Sequence, residues 1–173
     1  MDDSFQQARL LLPNFPDEVL TSWIDKCIRK SGWPPTGIEW DGFLLGRPLS
    51  YWQKIEWKYT EIYLTMPLLG DRSRFTIQCL IDAHVNNRPN IVSSYVHDSR
   101  TRFLYIMKYA LDNGTIPAPL VLLKENNQYE VAEGNHRVAV LIALQSSKSK
   151  QAEIVLPQQA WVGKMKGFNG YKL

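Results

Sequence analysis

The stretch YEVAEGNHRVAVLIALQ, residues 129–145, decides how this chain is read. Tyr129 and Val131 alternate with polar neighbours, the period of a half-buried strand, and Gly134 ends the alternation. From Val138 to Leu144 every residue is apolar, which predicts a helix buried on most sides and far too short to cross a bilayer. A strand that passes into a helix at a glycine leaves the first helical N–H groups without intrahelical partners, at the positive end of the dipole. Such a joint receives anions. Gly134 admits positive φ and a close approach of phosphate, Asn135 and His136 bring side-chain donors, and Arg137 brings a planar fork suited to phosphate oxygens. A plain structural reading stands beside this one: Gly134 makes a tight turn, Asn135 caps the helix, His136 sits in its first turn, and Arg137 pairs with Glu133 or Glu130.

Working outward, PAPLVLLKE (117–125) reads as an apolar strand and NNQ (126–128) as the turn that returns it to Tyr129. HDSRTRFLYIMKYALDNG (97–114) predicts a helix capped by Asp98 or Ser99 and stopped at Gly114, with a stripe of Phe103, Leu104, Met107, Ala110 and Leu111. RFTIQCLIDAHVNN (74–87) predicts another helix, ended near Arg88 and Pro89, and EIYLTMPLL (61–69) has strand character before a turn at Gly70 and Asp71. His84 and His97 have no partner at ligand spacing and stay outside the predicted chemistry. Beyond the joint, AEIVLP (152–157) predicts one more strand before a tail punctuated by Gly163, Gly167 and Gly170.

The first sixty residues differ in character. DDSFQQARLLL predicts a short helix stopped by Pro13, and residues 15–32 place Val19, Leu20, Trp23, Ile24, Cys27 and Ile28 at helical spacing. Trp33, Trp40, Phe43, Tyr51, Trp52, Trp57, Tyr59 and Tyr63 then crowd together; they suit either stacking on bases or a packed layer over the core. Cys27 and Cys79 lie far apart inside apolar-periodic segments, as buried reduced thiols do.

The chain has 173 residues, 45% hydrophobic and 21% charged, and a net charge of +3, the balance of an ordinary globular domain. No apolar run suits a membrane span, and the acidic start lacks a secretion signal's basic end, so a cytoplasmic protein is expected. Charge is uneven: Lys148, Lys150, Lys164, Lys166 and Lys172 face only Glu153 after Gln145, which suits phosphate tracking along DNA or a solvated tail.

The order of elements around EGNHR resembles the ParB/sulfiredoxin superfamily, with its Gly-x-His/Arg-Arg joint at a helix start. The likeness runs from about Glu61 to Leu156, with residues 72–97 as an insertion. It implies an α/β (α+β) fold, a small mixed sheet with helices, divided as a helical, aromatic-rich extension (1–60) and a core with basic tail (61–173). It also implies a nucleotide cradle in which Gly134, Asn135, His136 and Arg137 hold phosphates, helped by Ser99 and Thr101. Sulfiredoxins carry their nucleophilic cysteine where this chain has Asn135, and an amide forms no thiol intermediate, so peroxiredoxin repair is not expected. Chromosome-segregating ParB proteins follow the joint with a long helix-turn-helix domain, for which about thirty residues after Gln145 leave no room. In size the chain resembles the plasmid fertility-inhibition proteins of the oncogenic-suppression type, which block DNA transfer through type IV secretion.

That resemblance implies ATP or another nucleotide, DNA, and a metal-dependent ATPase/DNase. In such an enzyme Glu133 would hold Mg²⁺ or orient water, with His136 and Arg137 as further catalytic residues and Lys148, Lys150, Lys164 and Lys166 gathering nucleic acid. The alternative is a binding module without turnover, whose phosphate cradle is a switch or degenerate and whose aromatic half docks on a secretion or coupling protein.

Overall fold

A computed structural model describes residues 3–31, 33, 44–95, 98–147 and 157–167. Trp40, Phe43, His97, Lys148, Lys150 and all of the strand predicted at 152–157 except Pro157 lie outside those residues. The chain divides into two compact units, residues 1–58 with 161–173, and residues 59–160. The division falls two residues before the sequence boundary, and residues 161–173 group with the first unit.

In the first unit, α1 (Asp3–Leu11) buries Phe5 and Ala8 and stops before Pro13. α2 (Asp17–Val19) starts after Pro16 and continues through a π turn, Leu20–Ile24, into α3 (Asp25–Ser31). The predicted stripe of Val19, Leu20, Trp23, Ile24 and Ile28 is buried. After α4 (Leu49–Trp52), the rings of Phe15, Trp23, Trp52 and Trp57 pack together, Phe15 stacked on Trp23 and the Phe15–Trp57 and Trp23–Trp52 pairs edge to face with centroids 5.0 Å apart. Trp52 is fully buried, and its indole N–H donates to the Leu44 carbonyl at 3.1 Å. For these rings the packed layer is the arrangement found. Cys27 and Cys79 are reduced thiols, half-buried rather than buried.

β1 (Ile55–Ile62) and β4 (Gln158–Met165) each pass from one unit to the other, and the four strands form a mixed sheet in the order β1-β4-β2-β3. Residues 158–165, expected to begin a tail, are therefore strand. Gly163 belongs to its interior: a Cβ there would stand 2.7 Å from Ile55 Cγ2 and 3.0 Å from Trp57.

In the second unit a 3₁₀ turn at Met66–Leu68 leads to α5 (Asp71–His84), which α6 (Ile91–Tyr95) follows. α5 begins under a carboxylate. Glu130 accepts from the Ser73 amide at 3.1 Å and from the Ser73 hydroxyl, whose oxygen accepts from the Val131 amide at 2.7 Å. The negative charge sits at the positive end of α5 and satisfies one of its free N–H groups.

α7 (Ser99–Asn113) ends at Gly114, in the left-handed region at φ 68, whose N–H returns to the Ala110 carbonyl. Its buried face is Ser99, Phe103, Ile106 and Ala110, while Leu104 and Leu111 of the predicted stripe are exposed. The apolar residues of this helix ring more than one face, and packing selected the face containing Ile106. β2 (Leu120–Glu125) has four buried residues in succession and pairs antiparallel with β3 (Gln128–Glu133). Asn126 and Asn127 between them have φ 46 and 64, the two positive values a tight hairpin turn requires. α8 (Asn135–Ser146) buries every residue from Arg137 to Ile142 and packs on both α5 and α7. The segment read as an insertion thus supplies a helix of the core, with Ile77 and Leu80 buried. No helix among the described residues is long and apolar enough to cross a membrane.

Candidate functional site

Gly134 takes φ 108 and ψ 25 as the N-cap of α8, and no side chain caps the helix. Its carbonyl accepts the first helical bond, from the Val138 amide at 2.9 Å. Asn135 is thus the first helical residue and not the cap. The space a Cβ would occupy is closed by Leu120 Cδ2 at 2.8 Å and by Arg137 Nε and Nη2 at 3.0 Å. The glycine therefore admits the close approach of the Arg137 guanidinium.

Arg137 is 8% exposed, with its fork turned into the protein. Nη1 donates to the Pro119 carbonyl at 2.7 Å and the Pro117 carbonyl at 3.3 Å, and Nη2 meets Glu133 Oε1 at 3.3 Å. Burial lowers its pKa and Glu133 opposes that shift by charge and hydrogen bond. This is the pairing with Glu133 that the structural reading gave, extended to the loop entering β2, where Ala118 sits at φ 64. A planar fork suits two carbonyls and a carboxylate as well as it suits phosphate.

The polar cluster is built on the preceding residue, His136. Ser99, the first residue of α7, is buried, and its Oγ stands 2.8 Å from His136 Nε2 in the first turn of α8 and 2.8 Å from His84 Nε2 at the end of α5. Asp98, in the left-handed region at φ 60, turns the chain into α7. The two imidazole centroids are 6.4 Å apart with planes 25° from parallel, and the Phe103 ring backs His84 at 5.1 Å. A hydroxyl has one proton, so it donates to one Nε2 and accepts from the other, and the two rings hold opposite tautomers.

Burial, then neighbouring positive charge, disfavours protonation of both rings. Burial pushes His136 down to about 4, with His84 and Arg102 adding to the fall. Burial and then Arg100 lower His84. Arg100 and Arg102 are exposed and belong to the first turn of α7, so the rim of the cluster is cationic.

Among the residues expected here, Ser99 and His136 are brought together directly, and Asn135 is half-buried beside His136. Thr101 is exposed and shares none of the cluster's hydrogen bonds. Glu133 lies with Arg137. As a holder of Mg²⁺ it fits poorly, because its carboxylate faces a guanidinium, and no three His, Cys, Asp or Glu gather to hold a metal among the described residues. Lys164 and Lys166 are exposed in the first unit, with Lys166 Nζ 3.7 Å from Glu56 Oε1. In sequence His84 has no partner at ligand spacing. Its phase carried the signal, since positions 77, 80 and 84 share one face of α5 and the first two are core residues.

No protein-family model, curated protein or solved structure matches the chain.

Proposed function

We propose that the chain is a nucleotide-binding protein of ParB/sulfiredoxin type that receives phosphate at the starts of α7 and α8, through Ser99, Asn135 and His136. The observation that carries this is the Ser99 hydroxyl, buried between two imidazoles where two helices begin under Arg100 and Arg102. Helix-start amides and an imidazole N–H are donors an anion needs, and the adjoining cations favour it over a metal ion. Arg137 has a supporting part: it fixes the entry to β2 against the joint.

The site works as a binding switch in this reading. The guanidinium expected to neutralise a phosphoryl group and the carboxylate expected to hold a metal are joined to each other. Any divalent cation then arrives on the nucleotide's own phosphates. The biological role that goes with it is the blocking of DNA transfer by docking on a secretion or coupling protein, which requires no turnover. One observation favours the hydrolase instead: His136 is held unprotonated beside a hydroxyl, as a general base must be.

ATP titration with and without Mg²⁺, paired with an assay for released phosphate and cut DNA, separates the two. Binding that Ser99→Ala or His136→Ala weakens at least about tenfold, without turnover, agrees with the switch. Turnover lost in His136→Ala would move the assignment to the hydrolase, and ATP binding untouched by either variant would end the claim for this site.

A further inference from the structure

We propose that the His84–Ser99–His136 cluster takes a terminal phosphate dianion together with one proton, with His84 as a binding residue and the Ser99 hydroxyl turning from an imidazole to the ligand. The inference rests on the phosphate-binding reading of the same site and adds its ligand class and its dependence on pH.

The count of protons at Ser99 leads to it. Two Nε2 atoms stand 2.8 Å from one Oγ, which has a single proton and two lone pairs. In the neutral cluster one ring donates to Oγ and the hydroxyl donates to the other, so the hydroxyl proton is held inside and cannot reach a ligand. One added proton changes this. Both Nε2–H groups then donate to Oγ, its lone pairs are filled, and the O–H is released to point elsewhere. The ring that gains the proton keeps its Nδ1–H, the Nδ1 of the other ring stays bare, and neither is hydrogen-bonded among the described residues. Protonation thus adds the freed hydroxyl to the one Nδ1–H that the neutral cluster already has, two donors for a ligand in place of one.

The surroundings decide when that proton is accepted. Arg100 acts on His84, and Arg102 with His84 acts on His136. α6 brings no titratable group among Ile91, Val92 and Ser93, and on α8 the other charge, Arg137, faces Glu133. Two cations and burial resist a third positive charge while the site is empty. A terminal phosphate brings two negative charges and reverses the balance, whereas a phosphodiester of the DNA backbone brings one. The site therefore favours a nucleotide's terminal phosphate over the backbone of DNA.

The linkage has a definite sign. The ligand raises the imidazole pKa, so between the free-state value, about 4 for His136, and the higher bound-state value the complex holds more protons than the free protein. Affinity rises as pH falls through the bound-state pKa.

Calorimetric titration of the full chain with ATP, in buffers of different ionisation enthalpy between about pH 6 and 8, reads this directly. After allowance for ATP's own ionisation, uptake of up to one proton is expected, with affinity rising up to about tenfold per pH unit. In His84→Gln, which keeps a hydrogen-bonding side chain but cannot titrate, the uptake falls. ATP binding with no proton uptake by the unaltered protein overturns the inference and leaves phosphate binding in place. Failure of ATP to bind at all overturns both.

Discussion

A methyl group on Gly134 would stand 2.8 Å from Leu120 Cδ2 and 3.0 Å from Arg137 Nε, on a backbone at φ 108 that L residues rarely adopt. Gly134→Ala is expected to cost about 2 kcal/mol or more, measured by urea unfolding. Arg137→Met leaves the Pro117 and Pro119 carbonyls and Glu133 without their donor; a loss near 3 kcal/mol is expected, and Arg137→Lys should restore only part, since an ammonium cannot span the three acceptors. His136 gives a pH signature. Its folded pKa lies below its unfolded value, so the unfolded chain binds more protons between about 4 and 6.5, and stability rises with pH across that window and is lost as pH falls through it. The slope is at most about 1.4 kcal/mol per pH unit, less after solvent screening, and His136→Gln should flatten it relative to the unaltered protein. At this scale residue type was legible and direction was not. EGNHR announced a polar joint, but the carbonyls that turn Arg137 inward lie 18 and 20 residues upstream, and only the folded loop brings them near.

The hairpin and α5 depend on one half-buried carboxylate, Glu130. A Cβ on Gly70 would fall 2.1 Å from Glu130 Oε1, so the glycine is needed for Glu130 to reach the start of the helix. Glu130→Ala removes the partner of both Ser73 groups at the start of α5; a loss of about 2 kcal/mol is expected on denaturant unfolding, with Glu130→Gln retaining roughly half. Equal losses for both variants would mean that hydrogen bonding, not charge at the helix end, is what matters. Periodicity found this hairpin and the buried α8 because their signals are local: two asparagines in a tight turn, and an apolar run too dense to face water. It misplaced the buried face of α7, where Leu104 and Ile106 are both apolar and only the neighbouring helices choose between them. It ended the chain in a tail where β4 runs, because QQAWVGKM alternates weakly and gains its strand character from β1 and β2 beside it in the sheet.

Across the whole molecule, an α/β chain with a mixed sheet was legible from the succession of periods, and the core position of α5 was not, since its place on α8 is a tertiary fact. The same holds for the candidate site. Ser99 and His136 were each marked by their place at a helix start, while His84, 15 residues before Ser99, became visible only when α5, α7 and α8 met. The central claim is that phosphate is received at that meeting point. Chemical-shift mapping of ATP on the isotope-labelled full chain is the decisive measurement: the largest shifts are expected on the amides of Ser99, Asn135 and His136 and on the rings of His84 and His136. Shifts confined to the lysines near the C-terminus, with those groups unmoved, would contradict it.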